Sequence, residues 1–196
     1  MRWRAYIIAA ASAIIVLANP EPVERSSVAV KPSATDLAGC PVDPFHYSSG
    51  KAVVLVFISN DCPISNRYAP ELRRLHAAFE PKGVTFWLVH PDADETAAAI
   101  RAHATEYQYN MGILCDPHHV LVRRAQAHVT PEAAVFRPDG ELIYHGRIDD
   151  RYVDFGKERL AAAHHDLEDI LKAVLAGRPV RPSSTRAIGC YIADAE

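Results

Sequence analysis

The apolar residues fall into runs of two different periods, and the change of period marks the elements. Val53 to Ile58 is a continuous β-branched and aromatic run, the pattern of a strand covered on both faces. A polar turn, Ser59-Asn60-Asp61, follows it. From Cys62-Pro63 the period becomes helical: Ile64, Tyr68, Leu72, Leu75 and Phe79 form one stripe. Pro63 suits the first helical turn, where a missing N–H loses no bond. Pro81-Lys82-Gly83 predicts a turn, and Val84 to Val89 a second buried strand. If those two strands are parallel, the crossover between them is right-handed.

Asp92 to Glu95 reads as a helix start, with acidic residues on the favourable dipole end. That helix is expected to run to about Tyr109, packing Ile100, Ala104 and Tyr107. Met111 to Leu114 predicts a short strand, and His118 to Ala127 a short helix. Ala133 to Phe136 and Leu142 to His145 flank Pro138-Asp139-Gly140, a hairpin signal. Gly146 to Tyr152 is a charged loop, and Arg147, Asp149 and Arg151 in it are expected to be solvated surface. The last long helix is expected over about Lys157 to Ala176, with Leu160, His164, Leu167, Leu171 and Val174 on one face and Gly177 ending it. The remaining tail has no period and carries Gly189-Cys190-Tyr191-Ile192. Alternating strands and helices predict an α/β fold whose ligand chemistry lies at the carboxyl ends of parallel strands. Cys62 lies at such an end.

At 196 residues the chain suits one domain with extensions, here residues 35–177. The net charge of −3 gives no footprint for nucleic acid or an anionic membrane surface. Arg2 and Arg4 precede Ala5 to Ala18, an apolar run too short to span a bilayer, which needs ~20 residues. Residues 1–18 therefore read as a secretory signal peptide, with an uncleaved anchor as the alternative, and the domain as periplasmic or secreted. Residues 19–34, rich in Pro, Ser and Val, read as a linker, and residues 178–196 as a tail carrying Cys190.

Candidate chemistry centres on Cys62. A thiol at a helix N-terminus is exposed to the positive end of the dipole, which lowers its pKa. Asp61 opposes that effect, and Arg67 offsets it if its side chain folds back. Ser65 can hydrogen-bond a thiolate but performs no thiol exchange, so a turnover cycle needs a second thiol. Cys190, behind a glycine in the tail, is the candidate. Cys40 and Cys115 are the remaining pair and a possible structural bridge, although four cysteines allow three pairings. His118-His119 and His164-His165 are adjacent pairs that point apart on a helix, without chelating spacing.

The segment around Cys62 resembles the thioredoxin-like superfamily. Pro70 stands eight residues after Cys62, at the offset of the superfamily's kinking proline. Val129-Thr130-Pro131-Glu132, just before an apolar strand, is similar to its cis-Pro loop, which faces the active cysteine. The resemblance runs roughly from Ser33 to Gly177 and is nearest the redoxin branch of alkyl hydroperoxide reductase-like and thiol-specific antioxidant-like proteins. Three departures stand out. Ser65 replaces the second motif cysteine, giving Cys-Pro-Ile-Ser; Asn60-Asp61 replaces the usual tryptophan; and Leu55 holds the proline position of the peroxiredoxin signature, although Ser59 fits its hydroxyl position.

The resemblance implies a thioredoxin-like fold, a central mixed sheet flanked by helices. It implies an exported thiol-dependent oxidoreductase, with Cys62 the nucleophile, Ser65, Arg67, Thr130 and Pro131 around it, and no cofactor. Its partners would be a protein disulfide or small peroxide and a thiol reductant. The backbone at Thr130 would pair with an extended substrate as an added strand does. Two alternatives stay open. One is a copper-delivery module, using Cys62, Cys190 and a histidine such as His128 as soft ligands, with Asn66 where such proteins place a second cysteine. The other is a non-catalytic interaction domain of the same fold.

Overall fold

A computed structural model describes residues 34–46 and 50–193, so the expected leader and most of the expected linker lie outside the described residues. In chain order the elements are β1 (Ala34–Thr35), β2 (Pro41–Val42), β3 (Ala52–Phe57), α1 (Pro63–Phe79), β4 (Val84–His90), α2 (Ala97–Glu106), β5 (Gly112–Cys115) and α3 (Val120–Ala125). Then come β6 (Val129–Thr130), β7 (Glu132–Phe136), β8 (Leu142–Gly146), β9 (Tyr152–Asp154), β10 (Lys157–Glu158), α4 (Asp166–Leu175), β11 (Ser183–Ser184) and β12 (Cys190–Tyr191).

The main sheet has eight strands in the order β11-β8-β7-β3-β4-β5-β1-β2. Strands β3, β4 and β5 run parallel, and β7 pairs antiparallel to both β3 and β8. The apolar run of β3 is buried on both faces because successive side chains alternate across the sheet. Val54 and Val56 face a cluster built with Tyr68, Leu72 and Leu75 of α1 and Leu167 and Leu171 of α4. Val53, Leu55 and Phe57 face the opposite cluster with Leu121, Val122 and Ala125 of α3. The sheet is therefore a mixed central layer between helices, and its most buried strand ends directly beneath Cys62.

Several local expectations are corrected. The last helix begins at Asp166, not near Lys157. Its real start signal is the acidic first turn of Asp166, Glu168 and Asp169 at the positive dipole end. Upstream, β9 and β10 pair in a small hairpin, and the Asp150 carboxylate accepts the N–H groups of Ala163 and His164. Leu160, read as part of the buried face, is fully exposed. The 146–152 loop is not solvated surface: Asp149 and Asp150 are buried. Asp149 accepts the Tyr68 hydroxyl at 2.5 Å and the Arg151 N–H at 2.9 Å, and Arg147 forks onto Asp166.

Helix α2 starts at Ala97 with Thr96 as its cap, so Asp92 to Glu95 lie in the preceding loop. Helix α3 is shorter than expected; the buried Asp116 carboxylate accepts the N–H groups of Val120, Leu121 and Val122 at its start. The segment after α4 pairs with the body of the protein at two places. Strand β11 runs parallel to β8 and forms that edge of the main sheet, and β12 runs antiparallel to β6.

Candidate active site

The chain leaves β3 through Ser59 to Asp61 and enters α1 with Cys62 as its N-cap and Pro63 in the first turn. The cap places the sulfur over the first free amides of the helix: the Ser65 N–H points at Sγ from 3.5 Å. Across the site, Thr130-Pro131 is a cis peptide, and the Cys62 thiol donates to the Thr130 carbonyl oxygen at 2.9 Å. The third wall is the tail. Strand β12 sets Cys190 directly opposite Thr130, and both its thiol and its backbone amide lie against the Cys62 sulfur. Cys62 is only 1% exposed, so this covering decides what can reach it.

The electrostatics of the two sulfurs differ. Burial pushes the Cys62 thiol up, and the hydrogen bond that the protonated sulfur gives Thr130 also favours the neutral form. Against these, the hydroxyl and amide of Ser65 and the thiol and amide of Cys190 favour the thiolate, and the balance leaves Cys62 below its ordinary value. The Ser65 hydroxyl is buried with no other partner, so its proton is free to turn to the sulfur. Cys190 moves the other way: burial and the neighbouring Cys62 push it up to about 11. Two sulfurs whose pKa values are pushed in opposite directions thus sit side by side.

Behind the sulfur lies a partly buried polar network, anchored on the buried His90 and His103, that the sequence reading missed. One oxygen of the Glu95 carboxylate accepts the Asn60 N–H at 2.7 Å and the Ser59 hydroxyl at 3.0 Å. Its other oxygen meets His90 Nδ1 at 2.6 Å. Asn66 continues the network, donating to the Asn60 carbonyl at 3.0 Å and meeting His103 Nε2 at 2.7 Å. These contacts hold the turn that presents Cys62. Burial pushes the Glu95 carboxyl up, but His90 and the two donors of the turn outweigh it and hold it low. The only hint in the sequence was a histidine closing an otherwise apolar strand.

Of the residues singled out from the sequence, Cys62, Ser65, Thr130, Pro131 and Cys190 come together. Arg67 does not. It turns away from the sulfur to Glu158, 3.3 Å distant, and its side chain is 62% exposed. Residue 67 lies on the outer side of α1, where β10 supplies the nearer carboxylate. Cys40 and Cys115 are both free thiols, Cys40 exposed and Cys115 half-buried, so they form no bridge here. Cys62, Cys190 and His128 do not gather their ligand atoms. Among the described residues, the one group of three that does is Glu71, His165 and Glu168. Those carboxylates are already met by Arg74 and Lys172.

A cleft of about 380 Å³ opens beside the paired sulfurs, between Ser59, the Pro91 to Asp94 loop, His118, Thr130 and Cys190. It lies at the carboxyl ends of the parallel strands.

The sequence model of the AhpC/TSA family matches residues 27–145. No curated protein sequence is significantly similar to the chain. Among solved structures, an uncharacterized conserved protein from Geobacillus kaustophilus is 28% identical with a TM-score of 0.68, over 82% of this chain and 87% of that one. A hypothetical protein from Sinorhizobium meliloti 1021 is 24% identical with a TM-score of 0.69, over 81% and 88%. A secreted Mycobacterium tuberculosis disulfide oxidoreductase is 26% identical with a TM-score of 0.50, over 75% and 96%. The eight-stranded mixed sheet between helices is the thioredoxin-like arrangement, as the resemblance implied.

Proposed function

The chain belongs to the AhpC/TSA family, and on that footing we propose that it is a thiol–disulfide oxidoreductase with Cys62 as nucleophile and Cys190 as resolving thiol. The observation that carries this reading is the pairing of the two sulfurs at the α1 N-terminus, with Cys190 opposite Thr130 and against Cys62, the Cys62 pKa pushed below its ordinary value and that of Cys190 pushed up. The likeness to a secreted disulfide oxidoreductase supports the same chemistry.

The Cys62 thiolate attacks one sulfur of a substrate disulfide. A Cys62–substrate bond forms, the substrate S–S bond breaks, and the second substrate sulfur leaves as a thiolate that takes up a proton. Cys190 then gives up its proton and attacks the Cys62 sulfur. The Cys62–Cys190 disulfide forms, the Cys62–substrate bond breaks and the substrate sulfur that was bound to Cys62 leaves as a thiolate and takes up a proton, so the substrate gains two electrons and the protein dithiol loses them. An external dithiol reverses that loss. Ser65 stabilises the thiolate, and the Thr130-Pro131 loop supplies the backbone edge for the substrate.

A disulfide substrate is favoured over a peroxide by two observations. Leu55 stands where the peroxiredoxin signature has proline, and Arg67 is turned to Glu158 instead of to the sulfur. The apolar run behind Arg2 and Arg4 and the secreted relative both support work outside the cytoplasm, on protein disulfides.

The test is a thiol–disulfide exchange assay on three proteins. Cys62→Ser is expected to abolish turnover. Cys190→Ser is expected to accumulate a mixed disulfide on Cys62, visible by mass spectrometry under non-reducing conditions. Full turnover in Cys62→Ser would overturn the assignment. Consumption of hydrogen peroxide faster than disulfide exchange would replace the disulfide substrate with a peroxide.

A further inference from the structure

We infer that residues 189–192 occupy the very groove that receives an extended substrate segment, so that this protein exchanges disulfides with flexible, cysteine-bearing polypeptides by strand replacement. The inference rests on the thiol-exchange reading above and adds the occupant of the site and the kind of partner it admits.

The register of the tail is that of a bound strand. Cys190 lies opposite Thr130 and Tyr191 opposite Val129, and the Ile192 N–H donates to the His128 carbonyl at 2.9 Å. Side chains alternate as a strand's must. Cys190 turns to the Cys62 sulfur, Tyr191 is 82% exposed, and Ile192 is buried in the cluster beneath β3. Main-chain pairing beside the reactive sulfur, with one side chain anchored and one free, is the form an added peptide strand takes.

Gly189 shows that this approach is built into the sequence. A Cβ at that position would lie 2.1 Å from the Thr130 carbonyl oxygen and 2.6 Å from its carbon, distances no real side chain tolerates. Only glycine lets the tail come this close to the loop. The attachment is also short and hinged. Its upstream end is fastened at Thr185, whose hydroxyl meets Tyr144 at 2.7 Å and accepts the Arg147 N–H at 3.1 Å. From there to Gly189 the chain is held by Ile188, half-buried against the core; beyond Gly189 the hold consists of the two-residue β12 ladder, the Ile192 bond, the contact of Cys190 with the Cys62 sulfur and the buried Ile192 side chain. Such a segment opens far more readily than the core strands. When it lifts from Gly189 onward, the Val129–Thr130 edge and the adjoining cleft become available together.

The consequence follows the redox state. With Cys62 and Cys190 joined as a disulfide, the tail is bonded over the edge and no partner strand can enter. With both reduced, the tail exchanges with an incoming segment whose cysteine then stands where Cys190 stood. Return of β12 delivers Cys190 for the resolving step.

The experiment uses the full chain and Gly189→Val, which keeps both thiols, with Ile192→Ser as a second way to loosen the tail. In the reduced state, iodoacetamide alkylation of Cys62 is expected to accelerate about tenfold or more in either variant, as loss of the short ladder exposes the sulfur. A short extended peptide carrying one cysteine as a mixed disulfide with glutathione is expected to cross-link to Cys62 faster, while Cys190 resolves that adduct more slowly. Hydrogen exchange over residues 128–131 is expected to be slow in the oxidised wild type and fast in the reduced variants. Alkylation, cross-linking and exchange all within twofold of wild type in both variants would overturn the inference. The exchange measurement reads tail docking whether or not Cys62 is a nucleophile. A failure of the Cys62→Ser test is therefore distinguishable from a failure here.

Discussion

Replacing Glu95 by alanine is expected to destabilise the domain by about 3 kcal/mol, because it strands the half-buried donors of the turn that presents Cys62 and the buried His90. The carboxylate accepts the Asn60 N–H at 2.7 Å, the Ser59 hydroxyl at 3.0 Å and His90 Nδ1 at 2.6 Å. Ser59 can rotate its hydroxyl elsewhere, but the Asn60 amide is fixed by the backbone and His90 is 1% exposed. Each donor left without a partner costs about 1–3 kcal/mol. In a domain of this size that corresponds to a fall in Tm of roughly 6–12 °C, at about 2–4 °C per kcal/mol. Glu95→Gln keeps an acceptor for Asn60 and is expected to lose less than half as much. The acid limb supplies a second readout. Burial raises the Glu95 pKa, but His90 and the turn's donors lower it further, leaving it below the ordinary glutamate value. Its stabilisation is therefore complete above about pH 4.3, the unfolded value, and is lost as pH falls through the lower folded value. Glu95→Gln should remove that part of the acid transition. Thermal unfolding followed by circular dichroism between pH 3 and pH 7 measures both effects (a pH range chosen to bracket the glutamate value of about 4.3). A Tm for Glu95→Ala indistinguishable from wild type would refute the reasoning.

Three further outcomes are expected. Tyr68→Phe removes the hydroxyl that donates to the buried Asp149 at 2.5 Å and should destabilise by about 1–3 kcal/mol; an unchanged urea midpoint would count against that contact. Alkylation of Cys62 followed against pH should show an inflection below the ordinary thiol value of 9.0, while Cys190 should react only near its value of about 11. An inflection for Cys62 at or above the ordinary thiol value would remove the thiolate from the proposed mechanism. Arg67→Ala, which breaks an exposed pair with Glu158, should change stability by no more than about 0.5 kcal/mol and leave the Cys62 profile in place; a raised Cys62 inflection would restore a guanidinium contact to the sulfur.

The parts of this protein legible in its sequence are those whose signal is local. A run such as Val53 to Ile58 has to be buried on both faces, and the period change at Cys62-Pro63 has to open a helix, whatever else the chain does. The same holds for the Thr130-Pro131 loop before β7 and for the hairpin around Pro138-Asp139-Gly140. These placed the Cys62 sulfur and its facing loop, and thiol chemistry pointed to Cys190 as the candidate second sulfur.

What the tertiary structure alone decided is which distant polar group each of these meets. Leu160 and His164 carry a helical spacing, yet the β9–β10 hairpin and the Asp150 cap take that segment out of α4. Glu95 sits in an acidic cluster that reads as a helix start, and only the close of β4 beside the Cys62 turn makes it a half-buried clamp. Arg67 read as a partner for the Cys62 sulfur and Asp149 as a surface charge; the first pairs with Glu158 on the exposed side of α1 and the second is buried against Tyr68. Periodicity reports which face of an element is apolar, because that depends on neighbours three or four residues away. The partner of a carboxylate or a thiol depends on how elements dozens of residues apart are brought together, and that is settled only when the sheet closes and the tail returns to lie along Thr130.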